Sequence, residues 1–266
     1  MAIYYRELIR NRTALIVWTV TMILFSVFLM TFFPTIREQA VELQKLMEQY
    51  PKELVAAFNF DRLQMADPMG FYGTQVYIFI TLFGSIYAVL LFISVLSREE
   101  SEHTAEFLLT RPVTRTKVLI AKTLAALTNI TIFNLAFGIC NLILFDLYAR
   151  GEYDVKILVL LIVGPYLMHL LFGAVGLLIS VFVVKARAVY PISIGVVLGT
   201  YFASVVSTLS EEAKNLRYLT PFKYFDAADI VEDERIATLS LIVLGVALIV
   251  GIGGSLYFYS KKDIAV

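Results

Sequence analysis

Residues 157–184 read ILVLLIVGPYLMHLLFGAVGLLISVFVV, a run without Asp, Glu, Lys or Arg. A helix of about 20 apolar residues crosses the roughly 30 Å hydrocarbon core of a bilayer. A segment in lipid must satisfy its backbone hydrogen bonds internally, so the run predicts a membrane-spanning helix. Working outward, five more stretches have the same character: residues 14–33, 72–96, 118–145, 189–208 and 236–259. They are continuous apolar runs, not the short alternating strands of a β-barrel. The expected fold is an all-α integral membrane protein with six transmembrane helices, forming a single domain over residues 1–266.

Composition agrees. The chain is 59% hydrophobic and 17% charged, against about 45–50% and about 25% for ordinary soluble domains. Lys plus Arg and Asp plus Glu both number 22, so the net charge is zero and nothing points to nucleic acid. Cys140, the single cysteine, lies in an apolar run and reads as a small buried hydrophobe.

Positive charges orient the spans. Arg98, Arg111, Arg115 and Lys117 lie between the second and third spans, Lys185 and Arg187 in a very short connection, and Lys261-Lys262 against the last span. These place both termini inside (N-in, C-in). The first outer loop, residues 34–71, is long. Its apolar Ile36, Leu43, Leu46, Met47 and Tyr50 alternate with charges as on an amphipathic helix, and a second short helix follows Pro51. Asp67-Pro68-Met69-Gly70 reads as a turn. The last outer loop, residues 209–235, has a helical part and then Phe222, Tyr224 and Phe225, which are expected to rest on the membrane interface. At the N-terminus, Tyr4, Leu8 and Ile9 alternate with Arg6, Arg10 and Arg12, a pattern suited to a helix lying on the inner leaflet.

The segment 97–117 between spans two and three stands apart. Glu99, Glu100 and Glu102 come first, then Thr104, Glu106, Phe107, Leu108 and Leu109, then Arg111-Pro112-Val113-Thr114-Arg115. Two readings fit the residues: a solvated loop with interfacial anchors, or a short helix offering Phe and Leu to a partner's groove. Within the spans, Thr131, Asn134, Gly138 and Asn141 share one face of the third, and His169, Gly173, Gly176 and Ser180 one face of the fourth. Asn134, Asn141 and His169 are candidates either for a bond between helices or for lining a path. Gly195, Gly199 and Ala203 make a small-residue stripe on the fifth span, suited to packing within the protomer or at a dimer seam. Asp and Glu are missing from the centres of the spans, which argues against a proton- or sodium-coupled carrier. Within the spans, no paired carboxylates, His/Cys cluster or nucleophile–base pair marks an enzyme or a metal site.

The order of paired acids, Thr104-x-Glu106, Leu108-Leu109, Arg111-Pro112-Val113-Thr114-Arg115 and Lys117 resembles the ABC type-2 (exporter) permease family. Tyr218-Leu219-Thr220-Pro221-Phe222-Lys223-Tyr224-Phe225-Asp226 is similar to that family's outer segment before the last span. The resemblance spans essentially the whole chain. It implies that 97–117 is a coupling helix seated on an ATPase subunit and that Tyr4, Arg6, Leu8 and Arg10 belong to an elbow helix touching the same subunit. It further implies two ATPase copies, a second permease copy or related permease, membrane lipid as surroundings, and a prokaryotic cell (plasma or inner) membrane. The sequence has no G-x-x-x-x-G-K-[ST] loop, so no cofactor is expected on this chain, and ATP and Mg would sit on the partner. The alternatives are a stand-alone secondary carrier and a non-transporting scaffold or receptor.

Overall fold

The computed structural model describes residues 2–101, 114–183, 185–210 and 212–261. Most of these residues are helical, with no strand among them. In chain order the helices are α1 (Ala2–Glu38), α2 (Ala40–Met47), α3 (Lys52–Ala57), α4 (Pro68–Phe71), α5 (Tyr77–Ser101), α6 (Arg115–Tyr148), α7 (Val155–Ser180), α8 (Val189–Leu209), α9 (Pro221–Tyr224), α10 (Ala227–Asp233) and α11 (Thr238–Lys261). A π turn, Tyr72–Val76, joins α4 to α5 without a break. Six helical stretches are long and apolar enough to cross a membrane: α1, the α4–α5 unit, α6, α7, α8 with its leading turn, and α11.

The start of α1, the end of α5, the starts of α6 and α8 and the end of α11 share one end of the bundle, called here the near end. Residues 39–67, 149–154 and 212–237 share the far end. The α4–α5 unit is the most enclosed span. It packs chiefly on α7, with α8 and α6 also against it. Helix α1 lies on α6, and α11 lies on α7. Helices α1, α8 and α11 therefore form the periphery, and their outward side chains are apolar, as contact with lipid tails requires.

Local chemistry sets the helix starts. The Asp67 carboxylate accepts from the Met69 and Gly70 amides, and Pro68 follows at the first helical position. What reads in sequence as a turn is thus the capped start of the second span. Asp154 caps α7 and Asp226 caps α10 in the same way.

Two other expectations change. The amphipathic N-terminal segment is no separate helix; it forms the first turns of the continuous α1. No Pro or Gly interrupts residues 2–33, and those turns are fixed to α6, with Tyr4 Oη 3.0 Å from Thr128 Oγ1. The aromatic run before the last span also turns inward. Phe225 is 1% exposed, and Phe222 stacks edge-on against Phe172 and Tyr201.

Glycines mark which helices touch. A Cβ at Gly251 of α11 would fall 2.6 Å from the Ala174 carbonyl oxygen of α7, whereas one at Gly195 or Gly199 of α8 would meet nothing within 4 Å. Gly251→Ala is therefore expected to cost about 1–3 kcal/mol by overpacking. Gly195→Ala should leave the isolated protomer unharmed or slightly stabler, since alanine favours the helix. Thermal unfolding in detergent separates the two.

Candidate functional site

At the near end, three helices meet around a buried ion pair. Lys122 of α6 is 1% exposed. Its ammonium donates to the Val95 carbonyl of α5 at 2.8 Å and lies 3.4 Å from Glu7 Oε1 of α1. Arg10 reaches the other Glu7 oxygen at 2.8 Å. A lysine in so dry a place must keep its charge paired, because an isolated buried ammonium is far too costly. The arrangement ties α1 to the last turns of α5 and the first turns of α6. These are the two roots of the segment 97–117. Arg115, at the start of α6, also reaches the Tyr259 carbonyl near the end of α11 at 3.5 Å.

Glu99 and Glu100 lie in the final turns of α5, and their side chains lie outside the described residues. Glu102, Thr104, Glu106, Phe107, Leu108, Leu109, Arg111 and Pro112 lie outside the described residues altogether. Of the N-terminal set, Tyr4 and Arg10 are tied into the protomer as above, Leu8 is half-buried, and Arg6 is exposed.

Inside the bundle, α6 presents a repeated device. The side-chain amides of Asn129, Asn134 and Asn141 each donate to the carbonyl four residues earlier, which leaves their oxygens facing outward from the helix. Asn141 Oδ1 accepts from Ser26 of α1 at 2.7 Å. Asn134 Oδ1 lies 3.0 Å from His169 Nδ1 of α7, and His169 Nε2 lies 3.0 Å from the Ile80 carbonyl of α5. Gly84 makes this possible, since a Cβ there would fall 2.3 Å from His169 Nε2. Asn134, Asn141 and His169 are all buried. Their polar atoms are thus engaged in bonds that join α1, α5, α6 and α7.

The far end carries a second charged cluster, exposed where the first is dry. Arg62 bonds Asp229 at 2.8 Å and also Glu232, with Asp226 at 3.6 Å. Asn59, in the left-handed backbone region at φ 58°, donates to Asp226 at 2.9 Å. Lys223 pairs with Asp229. The segment between α1 and α4 is thereby fastened to α10. Beneath it lies a cavity of about 110 Å³, roofed by Ala56, Ala57 and Phe58, floored by Thr74, Tyr77 and Thr81, and walled by Tyr201 and Ser204 of α8. Arg62 and Lys223 hold the Asp229 carboxyl below its usual range, and Arg62 does the same for Glu232; burial pushes Asp226 the other way.

The small-residue stripe faces outward. Ser193 and Val197 form the buried side of α8, while Gly195 and Gly199 are exposed and Ala203 half-buried. Packing within the protomer does not account for the two glycines.

Neither charged cluster was anticipated from sequence. Lys122 is the lone cation inside residues 118–145, which is the kind of signal that marks a paired intramembrane charge. Asp226, Asp229 and Glu232 recur at helical spacing and so share a face. Nothing in the sequence names their partners.

Removing one member of the dry pair, as in Lys122→Met, should cost about 3–5 kcal/mol. The double variant Glu7→Gln/Lys122→Gln should lose clearly less than the sum of its single changes, in a double-mutant cycle of thermal stability. At the far end the lowered carboxyls of Asp229 and Glu232 contribute fully at neutral pH and lose that contribution as pH falls through their lowered range. Protonation of Asp226 relieves its burial and acts in the opposite sense. The hydrogen-exchange protection of residues 59–64, taken relative to the intrinsic rate at each pH, should therefore fall between neutral pH and about pH 3, and Arg62→Gln should flatten that response.

No curated protein and no solved structure matches the chain. The family described as ABC-2 family transporter protein matches residues 1–264. With six apolar helices and this near-whole-length match, the chain is a multi-pass membrane protein and belongs to the ABC-2 family of transporter proteins.

Proposed function

We propose that the chain is the permease subunit of an ATP-driven exporter and works with separate ATPase subunits. The family match over residues 1–264 carries this reading. In it, two ATPase copies bind ATP and Mg and dock on the segment 97–117, with Glu99, Glu102, Glu106, Phe107, Leu108 and Leu109 offering the contact. The near end faces the cytoplasm of a prokaryote and the far end faces outside. A second permease copy or a related permease completes the path, and the bare Gly195–Gly199 face of α8 supports a seam there, because small residues let helices approach closely.

The chain's own part is mechanical. Movement imposed on residues 97–117 reaches α5 and α6 at once, since both roots of that segment carry the Lys122 contacts. Glu7 adds α1 to the same moving unit. A dry, paired contact of this kind resists slipping, so force applied at the segment turns helices instead of stretching one contact.

Purification of the tagged chain from its native membrane should bring an ATPase with it. Leu108→Ala combined with Glu106→Ala should lose the ATPase, or keep it with ATP hydrolysis no longer linked to transport, while the unfolding temperature of the chain stays the same. Transport by the purified chain alone, without ATP, would instead establish a stand-alone carrier.

A further inference from the structure

We infer that the far-end segments form one gate over the cavity beneath them, and that Arg62 is its bolt. The two parts of the gate come from distant stretches of chain: a roof at residues 52–60 and a post at α10. Residues 63–70 are anchored. Leu63 is buried and meets the π turn at Gly73, and a Cβ on Gly70 would collide with the Gln64 backbone. The roof just before this anchor packs on α8. Its polar fastenings to the post are the bonds from Asn59 and Arg62 to Asp226, Asp229 and Glu232.

The chemistry of those fastenings suits a gate. Partly exposed ion pairs each contribute little, and water replaces them readily when they part. The cluster therefore holds by number and can release as a group. Asn59 closes the end of α3: its left-handed backbone lets the Phe60 amide bond back to the Val55 carbonyl at 3.0 Å, so the roof continues into Arg62 as one piece.

The floor of the cavity offers little to grip a ligand. The hydroxyls of Thr74 and Thr81 in its floor are already bonded to carbonyls of their own helix. They make the wall polar without leaving unmet donors to grip a ligand. The Tyr77 hydroxyl is likewise spent, on the Phe225 carbonyl at 2.7 Å, which braces the post against α5.

This inference rests on the orientation proposed above, with the far end outside. Its test needs no ATPase. Thr81→Cys, in a Cys140→Ala background, places a thiol in the cavity floor, where Thr81 is 3% exposed. Intact cells are treated with a membrane-impermeant maleimide. With Arg62 present, labelling should be slow. Arg62→Gln should speed it about tenfold, and Arg62→Lys should fall between. Lys156→Gln breaks another far-end ion pair, to Glu234, without touching the roof, and should leave the rate unchanged.

Equal rates before and after the Arg62→Gln change, whether fast or slow, overturn the gate. So does an equal acceleration by Lys156→Gln, which would mean general loosening. Labelling in inside-out vesicles but not in intact cells would reverse the orientation and overturn the gate with it. Unchanged unfolding temperature in each variant establishes that the rates report on a folded chain. An Arg62-dependent rate in a chain that captures no ATPase would retain the gate and reject the permease reading.

Discussion

The structure is governed by the absence of water in the hydrocarbon core. Each polar group that enters it must find a partner inside the protein. Helix geometry satisfies the backbone. Many polar side chains follow the same rule by bonding first to their own helix: Ser94, Ser97, Thr81, Asn134 and Asn141 each donate to a carbonyl one turn earlier. For the asparagines this leaves one oxygen free to reach across, and that spare oxygen makes the ties to Ser26 and His169. Apolar packing between spans has no solvent to escape, so close approach and such ties carry more of the specificity than in a soluble bundle. Gly84 beneath His169 and Gly251 against Ala174 show both requirements met at single positions.

The two ends of the bundle use charge under opposite conditions. At the near end Lys122 and Glu7 are almost wholly enclosed. Their separation would expose uncompensated charge to a poor dielectric, so the three helices they join behave as one piece. At the far end Arg62 and its carboxylates stand at the edge of solvent. There water competes for each bond, and the assembly is strong only in aggregate. One end keeps its charges from water, the other shares them with it.

Much of this was legible in the sequence. The six spans follow from uninterrupted apolar length, because lipid leaves helices as the simplest solution. The charged segment 97–117 and its resemblance to ABC type-2 permeases pointed to the family that the match over residues 1–264 bears out. Boundaries were less legible. Hydropathy reports where a helix meets lipid, not where it ends, so α1 continues through charged turns to Ala2. Phe222 and Phe225 resemble interface aromatics in composition, but the backbone turns them into the protein. The pairings Glu7–Lys122 and Arg62–Asp229 could not be read at all. A single sequence shows that a charge needs a partner and does not say which of many distant ones it takes.

The Glu7–Lys122 contact also bears on how the chain is assembled. The carboxylate is synthesised just ahead of the first apolar run, and its partner emerges only with the third span. Until then the first helix holds an acid whose final neighbour does not yet exist, and its opening turns are best accommodated among lipid headgroups and water. Docking of those turns onto α6 thus follows synthesis of the intervening span and of α6 itself.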